Sequence, residues 1–336
     1  MKHYWLSLVY IAVCLFSGNT IAAAKNTASL GAVSYTIPGW FKDSFLEIKE
    51  DSAEARQENK QLILFMHMEG CPYCSRMLDE NFREGKTKRF IEDNFQVVAI
   101  NILGDREIIW DDNNRYIEKE LARELKVHYT PTVVFMDGEG KRVLQLNGYR
   151  RPATLMHALN YVKDKQYNKL ELAEYISKQN KPVYSLRNHP MFTKTDDFSD
   201  FNKPLAIIFE DKNCADCNEF HQKVLAHKEV LSELSKFTVV RLDTDSDKSI
   251  IDNNGNKTTA AAWAKKLKLD YRPGVVLFDK GSEVTRVDGR LYHFHFKEIL
   301  RYVSKAKYFE YASYNQYLYA RQKELRAAGI QIDFGQ

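Results

Sequence analysis

The stretch Gln61–Cys74 reads QLILFMHMEGCPYC, a nearly unbroken apolar run that ends in two cysteines with two residues between them. A run of this length, closed by a turn at Gly70, predicts a strand over 61–68 that is buried on both faces. Cys71-Pro72 then opens a helical segment predicted to reach about Arg83, because proline is tolerated in a first turn where no amide donor is needed. A cysteine at that junction lies beside unpaired helix amides. Those donors and the positive end of the helix dipole favour thiolate over thiol, and the thiolate is what attacks a disulfide. The second cysteine, one turn further in, can resolve the mixed disulfide by attacking its neighbour. The four residues read as a nucleophile and its resolving partner.

The same pattern occurs twice. Cys214-Ala215-Asp216-Cys217 lies 143 residues after the first pair, while Val97-Val98 and Pro131 recur at a shift of 142 as Val239-Val240 and Pro273. Pro131–Asp137 (PTVVFMD) recurs as Pro273–Asp279 (PGVVLFD), and Gly148 and Gly289 follow each copy. Landmarks this close to a common offset identify a tandem duplication. Copy one is predicted to carry helices over about 44–58, 71–83, 117–127 and 152–167, with strands over 61–68, 96–103, 133–136 and 142–146. Copy two repeats this with strands over 205–209, 238–242, 274–278 and 283–287. Its helices start at Cys214, Thr259 and Phe294. Strands alternating with helices, then a hairpin and a last helix, predict an α/β fold with a mixed central sheet flanked by helices in each copy. Residues 168–180 read as an extra helix and 181–197 as an irregular connection with Pro182 and Pro190. Tyr308, Tyr311, Tyr314 and Tyr317 read as a helix packed on the second domain.

With strand before, helix after and a proline 57 or 56 residues beyond the second cysteine, both copies resemble thioredoxin-fold domains over roughly 40–165 and 196–307. The resemblance implies that Pro131 and Pro273 are cis and sit against the cysteine pairs. It also implies that Thr130 and Arg272 offer backbone hydrogen bonds to a substrate strand. Cys71 and Cys214 take the attacking role, Cys74 and Cys217 the resolving one. Copy one, with Cys-Pro-Tyr-Cys and Thr-Pro, is also similar to exported thioredoxin-related proteins of the sulfur-oxidation type and to periplasmic disulfide isomerases and reductases. Cys-Pro-Tyr-Cys occurs in glutaredoxins too, but the long first helix fits a thioredoxin-like copy better. Two positions depart from cytosolic thioredoxin. Gly70 and Asn213 stand where tryptophan precedes the first cysteine, and Phe65 and Ile208 replace a buried aspartate, leaving Cys74 and Cys217 no obvious internal base. Asp216 is expected to raise the pKa of Cys214 relative to Cys71.

The 336 residues, 44% hydrophobic and 28% charged, describe an ordinary globular protein of about two domains. A net charge of +4 is too weak to argue for nucleic acid. Lys2-His3, the apolar run to Phe16 and Ala22-Ala23-Ala24 read as a signal peptide cleaved after Ala24, too short to span a bilayer. Cys14 leaves with it, Val13 being too bulky to precede a lipidated cysteine. The expected organisation is a signal over 1–24, domains over 40–167 and 196–307, a connection over 168–195 and a tyrosine-rich helix over 308–336.

Scattered structural staples would not pair every remaining cysteine two residues from another. Zinc ribbons place their pairs about 15–20 residues apart in one module, so a metal site is not expected. A purely structural second pair stays open, given Cys-Ala-Asp-Cys and Arg272. His67 reads as a satisfied core histidine; His128, His293 and His295 read as ordinary. Asp105–Arg115, acidic with Trp110, finds no match of that length in copy two and reads as either a solvated or a substrate-facing loop. The expectation is an exported thiol–disulfide oxidoreductase that reduces disulfide-containing proteins, without metal, nucleotide or flavin cofactor. Its electrons would come from another thiol protein such as a periplasmic membrane carrier. A thioredoxin-fold adaptor or chaperone-like client binder, with one or both pairs idle, is the alternative class.

Overall fold

The computed structural model describes residues 33–127, 129–179, 182–330 and 332, so the expected signal segment and His128 lie outside the described residues. The first copy runs α1 (Ile48–Gln57), β1 (Gln61–His67), α2 (Pro72–Leu78), α3 (Gly85–Asn94), β2 (Phe95–Asn101), β3 (Glu107–Ile109), β4 (Arg115–Ile117), α4 (Glu118–Glu124), β5 (Thr132–Met136), β6 (Arg142–Asn147), α5 (Pro152–Lys163) and α6 (Leu172–Gln179). Its sheet has the order β2-β1-β5-β6, with β1 parallel to β2 and antiparallel to β5. Six consecutive residues of β1 are buried because alternate side chains enter two different cores. Ile63 and Phe65 join Phe82, Phe95 and Leu159 on one face, while Leu62, Leu64 and Met66 join Ile48 and Leu121 on the other.

The second copy repeats the order with β7 (Leu205–Glu210), α7 (Cys217–Glu219), α8 (Lys228–Leu234), β8 (Thr238–Asp243), β9 (Ser249–Ile251), β10 (Lys257–Thr259), α9 (Ala260–Lys266), β11 (Gly274–Asp279), β12 (Ser282–Val287) and α10 (His293–Ser304). Its sheet is β12-β11-β7-β8, the same arrangement, with β7 parallel to β8 and antiparallel to β11. A last helix, α11 (Tyr314–Ala327), packs Tyr314 and Tyr317 into the second core. Tyr308 lies in a separate 3₁₀ turn, Lys307–Phe309, and Tyr311 between the two, so the tyrosine stripe is not one continuous helix.

Four expectations change. The acidic stretch 105–115 does have a counterpart: β3–β4 and β9–β10 are equivalent antiparallel hairpins. Each turns on an aspartate whose Oδ1 accepts backbone amides, Asp111 from Asn113 and Asn114, Asp252 from Asn254 and Asn256. The match is hidden because the same turn chemistry is built on dissimilar residues. The first helix after the cysteines leaves α geometry at Asp79–Arg83 for a π turn, and α3 and α8 follow where no separate helices are expected. In copy two the helix begins at Cys217, not at Cys214. No proline pre-sets the first turn there, although the turn before the motif is shared: the Cys214 amide donates to the Asp211 carbonyl at 3.2 Å as the Cys71 amide does to the Met68 carbonyl at 3.3 Å. Finally, 182–197 is not a free connection. Val183 and Tyr184 donate to Lys212 O and Thr193 to Val239 O, just as Val33 donates to Gly70 O and Lys42 to Val97 O in copy one. A strap before each first strand is part of the repeat.

The two domains meet about a pseudo-twofold axis. Tyr149 and Arg290 form an antiparallel bridge across it, and Gly148 and Gly289 lie back to back. A Cβ on Gly289 would stand 2.8 Å from Arg150 Nη1, and closer still to the Asn147 carbonyl oxygen. Gly289→Ala must therefore push the domains apart, and is expected to cost about 1–3 kcal/mol in a urea titration. An unchanged midpoint would contradict this close approach.

Candidate active sites at the two cysteine pairs

Cys71 caps α2. Its φ of −74° and ψ of 110° lie outside the helix, Pro72 supplies the first helical position, and the Cys71 sulfur accepts the Cys74 amide at 3.0 Å. Thr130 Oγ1 donates to the same sulfur at 3.3 Å, and the Thr130 carbonyl oxygen lies 3.5 Å away. The peptide bond between Thr130 and Pro131 is cis. Cys71 and Cys74 are disulfide-bonded with Cα atoms 5.2 Å apart, and only 2% of Cys71 is exposed. Two donors thus converge on the sulfur where negative charge would develop once the disulfide opens. The N-terminal strap runs beside it. Tyr35 donates to Met68 O at 2.7 Å and its hydroxyl lies 2.9 Å from His67 Nδ1. Burial pushes the His67 pKa down to about 4, so this histidine is neutral and satisfied.

Cys214 and Cys217 are also disulfide-bonded, with Cα atoms 5.5 Å apart, and the bond between Arg272 and Pro273 is cis. The surroundings differ. Cys214 stands in a turn rather than at a helix start, so the dipole argument made for Cys71 does not extend to it. Asp216 accepts Tyr271 OH at 2.6 Å, forms an ion pair with Arg151 and lies 4.0 Å from Arg290. Two arginines offset its charge. The Arg272 side chain folds back onto Asp211 at 3.2 Å and onto the Leu269 carbonyl at 2.9 Å.

Sequence reasoning found no internal base, yet β7 ends in a fully buried Glu210. Its Oε1 lies 2.7 Å from His221 Nε2, and its Oε2 accepts Tyr184 OH at 3.0 Å. Tyr184 packs in one cluster with Cys214 and Cys217. Domain one has His67 at the equivalent strand position. A buried glutamate four residues before Cys214 was a readable signal, but its partners come from the strap (Tyr184) and from the second domain's own π turn, Phe220–Leu225 (His221).

The third residue of each motif reaches into the other domain. Tyr73 stacks on Tyr292 with centroids 5.3 Å apart, its hydroxyl accepts the Tyr292 amide at 3.0 Å, and it lies 3.0 Å from His295 Nδ1. Asp216 makes the reciprocal reach to Arg151, which precedes α5. His295, read from sequence as ordinary, is therefore an interface residue. Burial drives its pKa down to about 3. The unfolded chain takes up that proton below about pH 6.5, while the folded one resists it to about pH 3. Stability should then fall by up to about 1.4 kcal/mol per pH unit across that window. His295→Gln is expected to flatten this limb when denaturation midpoints are compared between about pH 7 and about pH 4. An equal slope in the variant would rule out His295 as its source.

Among the described residues no group of His, Cys, Asp and Glu could hold a metal ion, and no helix is long and apolar enough to cross a membrane. The family model described as Thioredoxin-like domain matches the chain twice, over 48–163 and 191–304, more than half of its length. A relative named Disulfide bond reductase DsbH, from Chlamydia pneumoniae, is 25% identical over 150 residues, covering 43% of this chain and 86% of that protein. Among solved structures, a thioredoxin-fold protein from Helicobacter pylori is 25% identical with a TM-score of 0.34, covering 41% of this chain and 91% of that one. A disulphide isomerase from Xylella fastidiosa is 22% identical with a TM-score of 0.26, covering 40% of this chain and 98% of that one.

Proposed function

The chain belongs to the thioredoxin-like family in both of its halves, and from that premise we propose that it is an exported thiol–disulfide oxidoreductase which reduces protein disulfides. The observation that carries this reading is the placement of Cys71. Its sulfur caps a helix start, takes donors from Cys74 and Thr130, and lies within bonding reach of a fully buried Cys74. Reduced, Cys71 is the thiolate that attacks a client disulfide, and Cys74 is the thiol that resolves it. Thr130 and Pro131, and in the second domain Arg272 and Pro273, offer the backbone along which a client strand lies. Cys214 and Cys217 hold the same two roles in the second domain. Clients are disulfide-containing proteins; a thiol protein, a membrane thiol–disulfide carrier among the candidates, returns the electrons. The relative named as a disulfide bond reductase supports the reducing direction. The basic, apolar and small-residue start supports export to the periplasm.

A second reading rests on two observations. Both attacking cysteines are 2% exposed, and the third residue of each motif is held by the other domain. An adaptor that grips clients without turnover would look similar. Turbidity assays of insulin reduction with dithiothreitol separate the two. The oxidoreductase reading expects catalysis by the full chain that Cys71→Ser combined with Cys214→Ser reduces at least about tenfold. Rates equal to the uncatalysed reaction in the parent protein would favour the adaptor.

A further inference from the structure

On the reading above, a client strand meets two segments of each domain, the cysteine motif and the residues before the cis proline. In this chain the same two segments hold the domains together. Tyr73, between Cys71 and Cys74, stacks on Tyr292, and its hydroxyl lies 3.0 Å from His295 Nδ1. Tyr129 stands two residues before Pro131. Its hydroxyl lies 3.0 Å from Thr285 Oγ1 and donates to the Arg286 carbonyl, so strand β12 of the second domain rests against it. Its ring centroid is 6.0 Å from that of Tyr314 in α11.

The second domain makes both contacts in the opposite direction. Asp216, between Cys214 and Cys217, pairs with Arg151. Tyr271, two residues before Pro273, has the Arg150 guanidinium 4.4 Å from its ring centroid. Tyr73, Asp216 and Tyr271 are all buried, as are Cys71 and Cys214. Each domain thus turns its client-facing segments toward the other, and a folded client cannot lie along either while they touch. The contacts themselves are hydrogen bonds, an ion pair and ring contacts rather than a continuous apolar core. Domains of one chain joined in this way are expected to move relative to one another.

Resting on the oxidoreductase reading above, we infer that each domain is the lid of the other: the closed pair is a resting form, and protein clients are reduced only after the domains part. The contacts at Tyr73, Tyr129, Asp216 and Tyr271 are the latch. They set the open fraction of the protein, and the rate toward a protein client scales with that fraction. A client that binds the exposed motifs draws the chain open, because it has affinity for one form and none for the other. Proteins that collide without binding meet two covered cysteine pairs.

The latch is loosened in the full chain without altering either motif or either cis-proline segment. Tyr292→Ala removes the stack on Tyr73, and Arg151→Ala removes the partner of Asp216. Each should enlarge the radius of gyration in small-angle scattering and raise insulin reduction with dithiothreitol at least about fivefold. Tyr292→Phe should match the parent in both, because it keeps the ring and loses a hydroxyl with no hydrogen-bond partner among the described residues. If one alanine variant loses its cooperative thermal transition, the other, on the opposite domain, still decides. Expansion with an unchanged or lower rate overturns the lid and leaves the oxidoreductase reading intact. Unchanged size with an unchanged rate shows that these contacts hold nothing shut, and overturns it equally. Insulin reduction no faster than dithiothreitol alone, in the parent and the expanded variants alike, defeats the oxidoreductase reading and the lid with it.

Discussion

Cys74→Ser in the full chain is expected to accumulate covalent mixed disulfides with client proteins, at least about tenfold above the parent, whereas Cys71→Ser should accumulate none from the first domain. The asymmetry follows from position. Cys71 is the sulfur that caps α2 and receives the Cys74 amide and the Thr130 hydroxyl. Cys74 is fully buried beneath it and has no route to a client. Removing the buried thiol leaves an attack that cannot be resolved; removing the capping thiol leaves no attack. Non-reducing electrophoresis after acid quench reads the outcome. Trapping by Cys71→Ser instead would invert the assigned roles, and trapping by neither would favour the adaptor.

The largest structural effect is expected at Arg150. It is 2% exposed, yet it donates to the Asn147 carbonyl at 2.7 Å and to the Asp288 carbonyl of the other domain at 2.8 Å. Its guanidinium also lies 4.4 Å from the centroid of Tyr271, the residue whose hydroxyl holds Asp216. Burial lowers the Arg150 pKa and raises that of Asp288, the direction expected of charges taken out of water. Arg150→Met would leave two buried carbonyls without a donor and Asp288 without its nearest compensating charge. A loss of about 3–5 kcal/mol is expected in urea denaturation. Arg150→Lys should recover little, because a single ammonium cannot reach both carbonyls while stacking on the ring. A midpoint within about 0.5 kcal/mol of the parent would mean that the domains do not depend on this residue.

Much of the site is legible in the sequence alone. The apolar run ahead of Cys71, Pro72 at the first helical position and the recurrence of Pro131 as Pro273 are local signals, and each survives in the fold. What stayed hidden depends on residues far apart in the chain. Tyr73 meets His295 across 222 positions, and Arg150 meets Asp288 across 138. No periodicity announces such pairs. The hairpins β3–β4 and β9–β10 escaped because three-residue strands carry too few residues to show alternation. The late helix start at Cys217 escaped because two matched cysteine pairs suggest matched backbones. Proline in one motif and Ala-Asp in the other make them differ. Glu210 was visible as a residue, but its hydrogen bonds to Tyr184 and His221 required the strap to be placed.

As proposed, these pairs are working redox centres which deliver electrons. The most direct test is the equilibrium reduction potential of each pair, taken by alkylating thiols in graded dithiol buffers with the other pair replaced by serine. The first pair is expected to titrate near the reductant level of about −270 mV. A value near about −120 mV would make that domain an oxidant and contradict the proposed direction of electron flow.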